Sequence, residues 1–558
     1  MLKRLSTILL LITIFSESPL YAAPHKAAIA SAHPLATAAG FEVLAKGGNV
    51  YDAAVAVSAA LAVLEPNGSG LGGGGYWLLH RQKDGFETMI DGREKAPLAA
   101  HKDMFLDKDG QVIPKLAIDG ALAAAIPGLP AALVHISEHY GQLPLADSLA
   151  PAIRYAKTGF SISERYLKIL KVRADVLNAY PESAAIFLSN GKLPELYSIL
   201  RQPDLAQTLE RLAESGWDGF YSGVTADKLV SSVRQAGGIW TKADLTAYQV
   251  IEREPIKGTY QGIKITSAAP SSSGGIVLIE ALNVLSGYDF QHSDELTRKH
   301  LIVEALRRAY HDRSLYLGDP GFIDIPVKRL LNEDYAAGLR SSISLDKAMP
   351  SELLSGEIKA QTEGINTTHF SIMDEEGNRV AATLSVNFSF GSAFVAKGTG
   401  VLLNDEMDDF VSLSGAKNMY GLIGGSANAI APGKRMLSSM TPTFLEDEHQ
   451  VAVLGTPGGS RIISMVLLAL LDFAKGHGPE SWVQVPRFHH QFMPDVIEYE
   501  KFALSDSEIT GLIALGHQLK LVPLAYGDMQ AAQLSKATKT LAAASDKRGE
   551  GKAIVGHY

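Results

Sequence analysis

The chain has 558 residues, 46% of them hydrophobic and 20% charged, with a net charge of −9. This is the composition of a globular protein with a sizeable core, and the acidic balance gives no reason to expect nucleic acid or an anionic membrane as partner. There are 16 histidines and no cysteine, which excludes disulfides, thiolate metal sites and a cysteine nucleophile.

Met1-Leu2-Lys3-Arg4, an apolar run from Leu9 to Phe15, and Tyr21-Ala22-Ala23 describe a secretory signal peptide over residues 1–23. No later segment reaches the roughly 18–20 apolar residues of a membrane span. The mature protein is therefore expected to be exported, to a periplasm or outside the cell.

Asp52 to Leu64 is Ala-rich and apolar nearly all round, as a buried helix is. It leads into Gly68-Ser69-Gly70-Leu71-Gly72-Gly73-Gly74-Gly75 and a strand-like Tyr76-Trp77-Leu78-Leu79. Gly68-x-Gly70-x-x-Gly73 matches a dinucleotide-binding string. That fingerprint needs a strand before it and a helix after it, and the order here is reversed. The stretch instead reads as a tight loop packed against other backbone. Arg93, in Asp91-Gly92-Arg93-Glu94, can clamp a carboxylate with two parallel hydrogen bonds, although a surface arginine is the commoner outcome.

Helical patterns from Ala121 to Leu212 are broken by Pro127, Pro130, Pro144 and Pro151, and a Ser/Gly loop over Pro270–Gly275 precedes another apolar helix. Glu295 to Tyr316 reads as a long amphipathic helix, and Ser341 to Asn366 as an exposed, mobile segment. Two alternating segments, Thr367–Met373 and Arg379–Asn387, flank a Gly-containing turn and predict a β-hairpin. With Asp374–Asn378 as a five-residue loop, Met373 faces Arg379 and Thr367 faces Ser385. Two hydroxyls and, two residues on, the amide of Asn387 then share one face. If the chain is cut before Thr367, that residue gains an α-amino group of pKa about 7.7–8.0, suited to take the proton of its own hydroxyl. An ordinary strand threonine explains the same residues.

Farther on, Asn404-Asp405-Glu406-Met407-Asp408-Asp409-Phe410 is either a solvated loop or a site for an ammonium group or metal; it lacks the ligand spacing of a calcium loop. Ser438-Ser439 can bind a carboxylate or cap a turn. Thr456-Pro457-Gly458-Gly459-Ser460-Arg461 follows a strand and opens the apolar helix Ile462–Phe473, where backbone N–H groups can hold an oxyanion. His489-His490 read as packed or surface residues. Helices and strands in blocks point to a layered α/β or α+β domain.

Taken as a set and in order, Asp91–Pro97, Asn366–Phe370, Ser385-x-Asn387, Leu403–Phe410, Ser438-Ser439-Met440-x-Pro442 and Gly455–Arg461 closely resemble the γ-glutamyltranspeptidase family. The similarity runs over nearly all the mature chain. It implies an α+β N-terminal-nucleophile hydrolase fold, a four-layer αββα sandwich with two stacked antiparallel sheets between helical layers. It further implies a precursor that cuts its own Asn366-Thr367 bond, giving a large subunit (24–366) and a small catalytic subunit (367–558) that stay together as a heterodimer. By position, the resemblance makes Thr367 the nucleophile and base, with Ser385, where the family usually has Thr, bonded to its amine. Gly458 and Gly459 become the oxyanion donors. Arg93, Ser438 and Ser439 fall at the substrate α-carboxylate, and Asn387, Glu406 and Asp409 at the α-ammonium. Ser414–Gly425, with Tyr420, looks like the family's lid loop. The implied substrates are glutathione and other γ-glutamyl compounds, with amino acids, peptides or water as acceptors, and neither metal nor organic cofactor is required. A related cephalosporin/glutaryl acylase is the nearest alternative, and an uncleaved, inactive binding protein a more distant one.

Overall fold

The computed structural model describes residues 25–290, 292–354, 367–411 and 425–558. The predicted hairpin lies at its centre. Strands Thr368–Asp374 and Arg379–Ser385 pair antiparallel, with Met373 opposite Arg379 and Thr368 opposite Leu384. The counted register is therefore correct, and one further step sets Thr367 against Ser385. The turn is fixed by Asp374, whose Oδ1 accepts from the N–H groups of Gly377 at 2.8 Å and Asn378 at 2.9 Å.

Around this hairpin runs a seven-stranded antiparallel sheet, ordered Lys552–His557, Lys26–Ser31, Thr368–Asp374, Arg379–Ser385, Gly74–Arg81, Phe86–Gly92 and Ile251–Arg253. A six-stranded antiparallel sheet lies against it, ordered Leu541–Ser545, Gln530–Ser535, Gln450–Gly455, Thr443–Glu446, Ile263–Ser267 and Ile256–Tyr260. The Ser371 hydroxyl donates to the Gln530 carbonyl at 3.0 Å, joining the two sheets. Strand alternation sorts the side chains between layers. Phe370, Ile372, Val380, Ala382 and Leu384 pack with the helix Val50–Leu64, while Met373 and Ala381 join the core shared with the second sheet. Helices Gly274–Leu285, Glu295–Tyr316 and Ile462–Phe473 complete that second core. The result is the four-layer αββα sandwich expected.

All 15 residues of Val50–Leu64 are buried, and each fully buried Val or Leu among them contributes about 1.5–3 kcal/mol. Its start is a reciprocal cap: Asn49 Oδ1 accepts from the Tyr51 and Asp52 N–H groups, and Asp52 Oδ2 from the Asn49 N–H at 2.9 Å. The glycine-rich stretch after it is backbone pressed on backbone. A Cβ at Gly73 would lie 2.1 Å from the Ser385 carbonyl oxygen, so only glycine lets this loop seat beneath the hairpin.

One element departs from its sequence pattern. Glu295–Tyr316 is a helix, as read, but it is buried on almost every side from His300 to Ser314 instead of being amphipathic. Its charges compensate one another: Glu304 accepts from Arg307 Nε at 3.2 Å and from Arg308 Nη1 at 2.6 Å. The expected signal peptide lies outside the described residues, as does the part of the 341–366 segment from 355 onward. Among the described residues no helix is long and apolar enough to cross a membrane.

Candidate active site

Thr367 stands just before its strand, on the face that carries His369 and Ser371 toward the second sheet. Thr368 points the other way, and its hydroxyl donates to Glu65 at 2.7 Å. Burial lifts the Glu65 carboxyl above the usual range, against the pull of that hydrogen bond. Thr367 opens on a cavity of about 310 Å³, open solvent included, that is also lined by Ser385, Asn387, Arg93, Glu406, Asp409, Ser438, Ser439 and Gly459. Residues scattered along the chain thus converge on one concave space. Among the predicted site residues that are described, Gly458 alone is not part of its lining. Asn366 and Tyr420, with residues 414–424 of the expected lid, lie outside the described residues.

Beyond Ser385 the chain turns sharply. The Asn387 backbone N–H donates to Ser385 Oγ at 2.8 Å, Asn387 adopts φ 73°, and its Nδ2 donates to the Asp405 carbonyl at 3.1 Å. The buried Asp405 carboxyl accepts from the Phe388 N–H at 2.9 Å, which ties this turn to the acidic run. That run is a 3-10 turn over Glu406–Asp409, with Asp405 and Glu406 buried, so the solvated-loop alternative does not hold.

Arg93 follows directly on strand Phe86–Gly92 and is 1% exposed, against the surface alternative. Asp91 accepts its backbone N–H at 3.0 Å, and its carbonyl accepts from the Tyr248 hydroxyl at 2.7 Å. Its guanidinium sits among three acids: Glu406 at 2.6 Å, Asp409 at 2.5 Å and Glu94 at 3.5 Å. The Glu406 contact is an ion pair off the N–H direction, and neither Glu406 oxygen has a directed hydrogen bond among the described residues. Burial opposes the Arg93 charge, but Glu406, Glu94 and Asp409 outweigh it and hold its pKa well above the ordinary value. Burial likewise drives the Glu406 carboxyl well above the usual range, against the pull of Arg93.

Ser438 combines both of its readings: it lines the cavity, and its Oγ accepts from the Met440 N–H at 3.1 Å. At the far wall, strand Gln450–Gly455 gives way to a turn with φ 142° at Gly458 and 58° at Gly459, both left-handed values that favour glycine. The helix Ile462–Phe473 starts here, so its positive end faces the cavity. His489 and His490 are packed residues, bonded to Ser464 at 2.8 Å and Asp495 at 3.0 Å.

Two neighbours of the site, Arg313 and Asn428, escaped the sequence, and Asn404 was read only as the head of the acidic run. Arg313, from the last turn of Glu295–Tyr316, lines the cavity; an apparently amphipathic helix gave no hint of it. Asn404 joins the acidic turn to the glycine loop, donating to the Gly72 carbonyl at 2.6 Å and the Ala125 carbonyl at 2.8 Å. Asn428 accepts from the Leu437 N–H at 3.0 Å and donates to the Asp409 carbonyl at 2.7 Å. Elsewhere, His300, Glu304 and His517 come close enough to suggest a metal cluster. The two rings instead hydrogen-bond each other at 2.8 Å, and Glu304 is taken by two arginines.

The gamma-glutamyltranspeptidase family model matches residues 36–556. A glutathione hydrolase proenzyme of Pseudomonas sp. (strain A14) is 45% identical over 484 residues, covering 86% of this chain and 84% of the relative. One from Escherichia coli (strain K12) is 41% identical over 502 residues, covering 88% and 86%. Among solved structures, a cephalosporin acylase from Bacillus halodurans superposes with a TM-score of 0.84 at 27% identity, over 97% of this chain and 99% of that one. With the family model spanning nearly the whole chain and the expected fold in place, the chain belongs to the gamma-glutamyltranspeptidase family.

Proposed function

We propose that this protein is an autoprocessed threonine-nucleophile enzyme that cleaves the γ-glutamyl amide bond of glutathione and related compounds. The observation that carries this reading is the one cavity shared by the Thr367 and Ser385 hydroxyls, the Gly459 turn and the Arg93–Glu406–Asp409 cluster.

Cleavage of the Asn366-Thr367 bond frees the Thr367 α-amine. That amine takes the hydroxyl proton as Oγ1 attacks the γ-carbonyl, and the negative charge that develops on the carbonyl oxygen is met by the Gly458 and Gly459 N–H groups. Loss of one such donor costs roughly 10²–10³ in rate in other enzymes. Collapse expels the amine leaving group, which carries away the proton, and leaves a γ-glutamyl ester on Thr367. Water or an acceptor amine then attacks that ester and restores the hydroxyl. Ser385 holds the amine in position. The glutamyl head is a zwitterion, and the cavity carries both signs: Arg93 with Ser438 and Ser439 for the carboxylate, and Glu406, Asp409 and Asn387 for the ammonium. The two pieces of the precursor, 24–366 and 367–558, remain associated because both supply strands to the same sheet. Export through residues 1–23 puts this chemistry in a periplasm or outside the cell.

A glutaryl acylase would hold a donor with the same carboxylate and no α-ammonium. The acids of the cavity favour the glutamyl donor, since of the two donors it alone brings a buried carboxylate such as Glu406 a cationic partner besides Arg93. Comparing γ-glutamyl-p-nitroanilide with glutaryl-p-nitroanilide tests the choice. We expect kcat/KM to favour the glutamyl donor by at least about tenfold, and a preference for glutaryl would overturn the reading.

A further inference from the structure

The cavity contains two buried arginines in opposite electrostatic situations. Arg93 is shared among three carboxylates. Arg313 is 5% exposed and, among the described residues, has no carboxylate within 4.0 Å. Its partners are hydroxyls: Nε donates to Ser273 Oγ at 2.9 Å and Nη2 to Ser439 Oγ at 3.2 Å. Ser273 in turn donates to the Ser438 carbonyl at 2.7 Å, so one network reaches both serines of the cavity wall.

A buried, uncompensated guanidinium is costly. The C-terminal end of its own helix offsets part of that, by about 0.3–1 kcal/mol in exposed cases. This falls short of a counter-ion, and the side chain reaches out to Ser273 and Ser439 instead of folding back on the helix end. Burial lowers the Arg313 pKa, to about 10, opposed by Tyr310 and Asp409, which leaves the group charged at neutral pH. The cavity thus holds a positive charge that, among the described residues, has no carboxylate in direct contact. Arg93, by contrast, presents any approaching carboxylate with Glu406 and Asp409 as well, and those acids repel it.

We propose that Arg313 is a specificity-determining residue for the acyl donor, supplying through Ser439 and its own guanidinium the net positive charge that draws the donor's α-carboxylate away from the acids flanking Arg93. The inference rests on the γ-glutamyl reading and deepens it. Opposite charges face the two groups of one zwitterion: Arg313 joins Arg93 and the serines at the carboxylate, while Asp409 and Glu406 turn to the ammonium.

The test compares the mature enzyme with Arg313→Gln and Arg313→Lys on two donors. One is γ-glutamyl-p-nitroanilide; the other is 4-aminobutanoyl-p-nitroanilide, which keeps the ammonium and lacks the carboxylate. Losing a hydrogen bond to a charged partner should lower kcat/KM of Arg313→Gln for the glutamyl donor by about 10–150-fold. The loss should fall mainly on KM, with kcat within about threefold, and Arg313→Lys should recover part of it. The ratio of variant to wild type should stay near one for the aminobutanoyl donor. Equal losses on both donors, or an unchanged KM for the glutamyl donor, overturn the proposal. If Arg313→Gln does not mature, the same donor ratio measured on Arg313→Lys decides. A wild-type enzyme without γ-glutamyl activity would instead remove the reading beneath it.

Discussion

On the helix Glu295–Tyr316, Glu304 is shared by Arg307 and Arg308, and further donors of the two arginines find Ser351, Asp495, Ser342 and the Leu339 carbonyl. Around the cavity, Arg93 is shared by Glu94, Glu406 and Asp409, yet among the described residues both oxygens of Glu406 and Oε1 of Glu94 lack directed hydrogen bonds. Both groups are buried arginine–glutamate clusters. The first is closed, and its geometry satisfies the charges it buries. The second is left incomplete and faces open space, the arrangement of a site that waits for a partner of matching charge. Burial of charge alone does not separate these two clusters; completeness of their hydrogen bonding among the described residues does.

The sharpest way to break this comparison is to remove the centre of each cluster. Glu304→Gln leaves Arg308 without its carboxylate and Arg307 with Asp495 alone, and should cost about 3–5 kcal/mol of stability, read as a lowered urea midpoint, with kcat/KM of the remaining folded enzyme little changed. Arg93→Gln should do the reverse. We expect kcat/KM for γ-glutamyl-p-nitroanilide to fall by about 10²–10³-fold, roughly 2.7–4 kcal/mol, with thermal stability within a few degrees of wild type. If Arg93→Gln mainly unfolds the protein, the cavity cluster is structural and the distinction fails.

Asp409→Asn sharpens the comparison within the cavity. It should lower the preference for glutamyl over glutaryl anilide by about 10–100-fold, because the ammonium loses a charged partner while the carboxylate keeps its own. An unchanged preference would place ammonium recognition elsewhere. The smallest effect concerns pH. His369, buried between the sheets against Thr383 at 2.8 Å, is held neutral by burial, which lowers its pKa to about 3. A folded pKa below the unfolded 6.5 means this contribution is present above pH 6.5 and is lost as pH falls toward 3. Between pH 6.5 and 5.5 the linkage is about 1 kcal/mol. His369→Gln, though less stable throughout, should lose about that much less over this interval in urea titrations at the two pH values.

Much of the scaffold was legible in the sequence because strand pairing follows counting rules. A five-residue loop and a period of two set the register of the hairpin, placed Ser385 opposite Thr367, and turned Thr368 to the other layer, where it meets Glu65. The glycine loop was legible because close backbone approach leaves few alternatives to glycine. The cavity itself was not readable from local patterns, since Arg93, Asp409 and Ser439 are neighbours only after folding, and it took the family resemblance to group them. Arg313 escaped both routes. A helix dense in Arg, Glu and His looks solvent-facing by period, and only internal ion pairing lets such a face be buried. The roles of Asn404 and Asn428 were hidden for a related reason, because their work is to tie distant backbone together.

The claim on which everything else depends is that the chain is cut before Thr367. N-terminal sequencing of the purified protein, beside the variant Thr367→Ala, tests it most directly. The wild type should give two chains, one of them beginning Thr367-Thr368-His369, and the variant a single uncut chain. A wild-type protein that stays uncut and still hydrolyses γ-glutamyl-p-nitroanilide would contradict it.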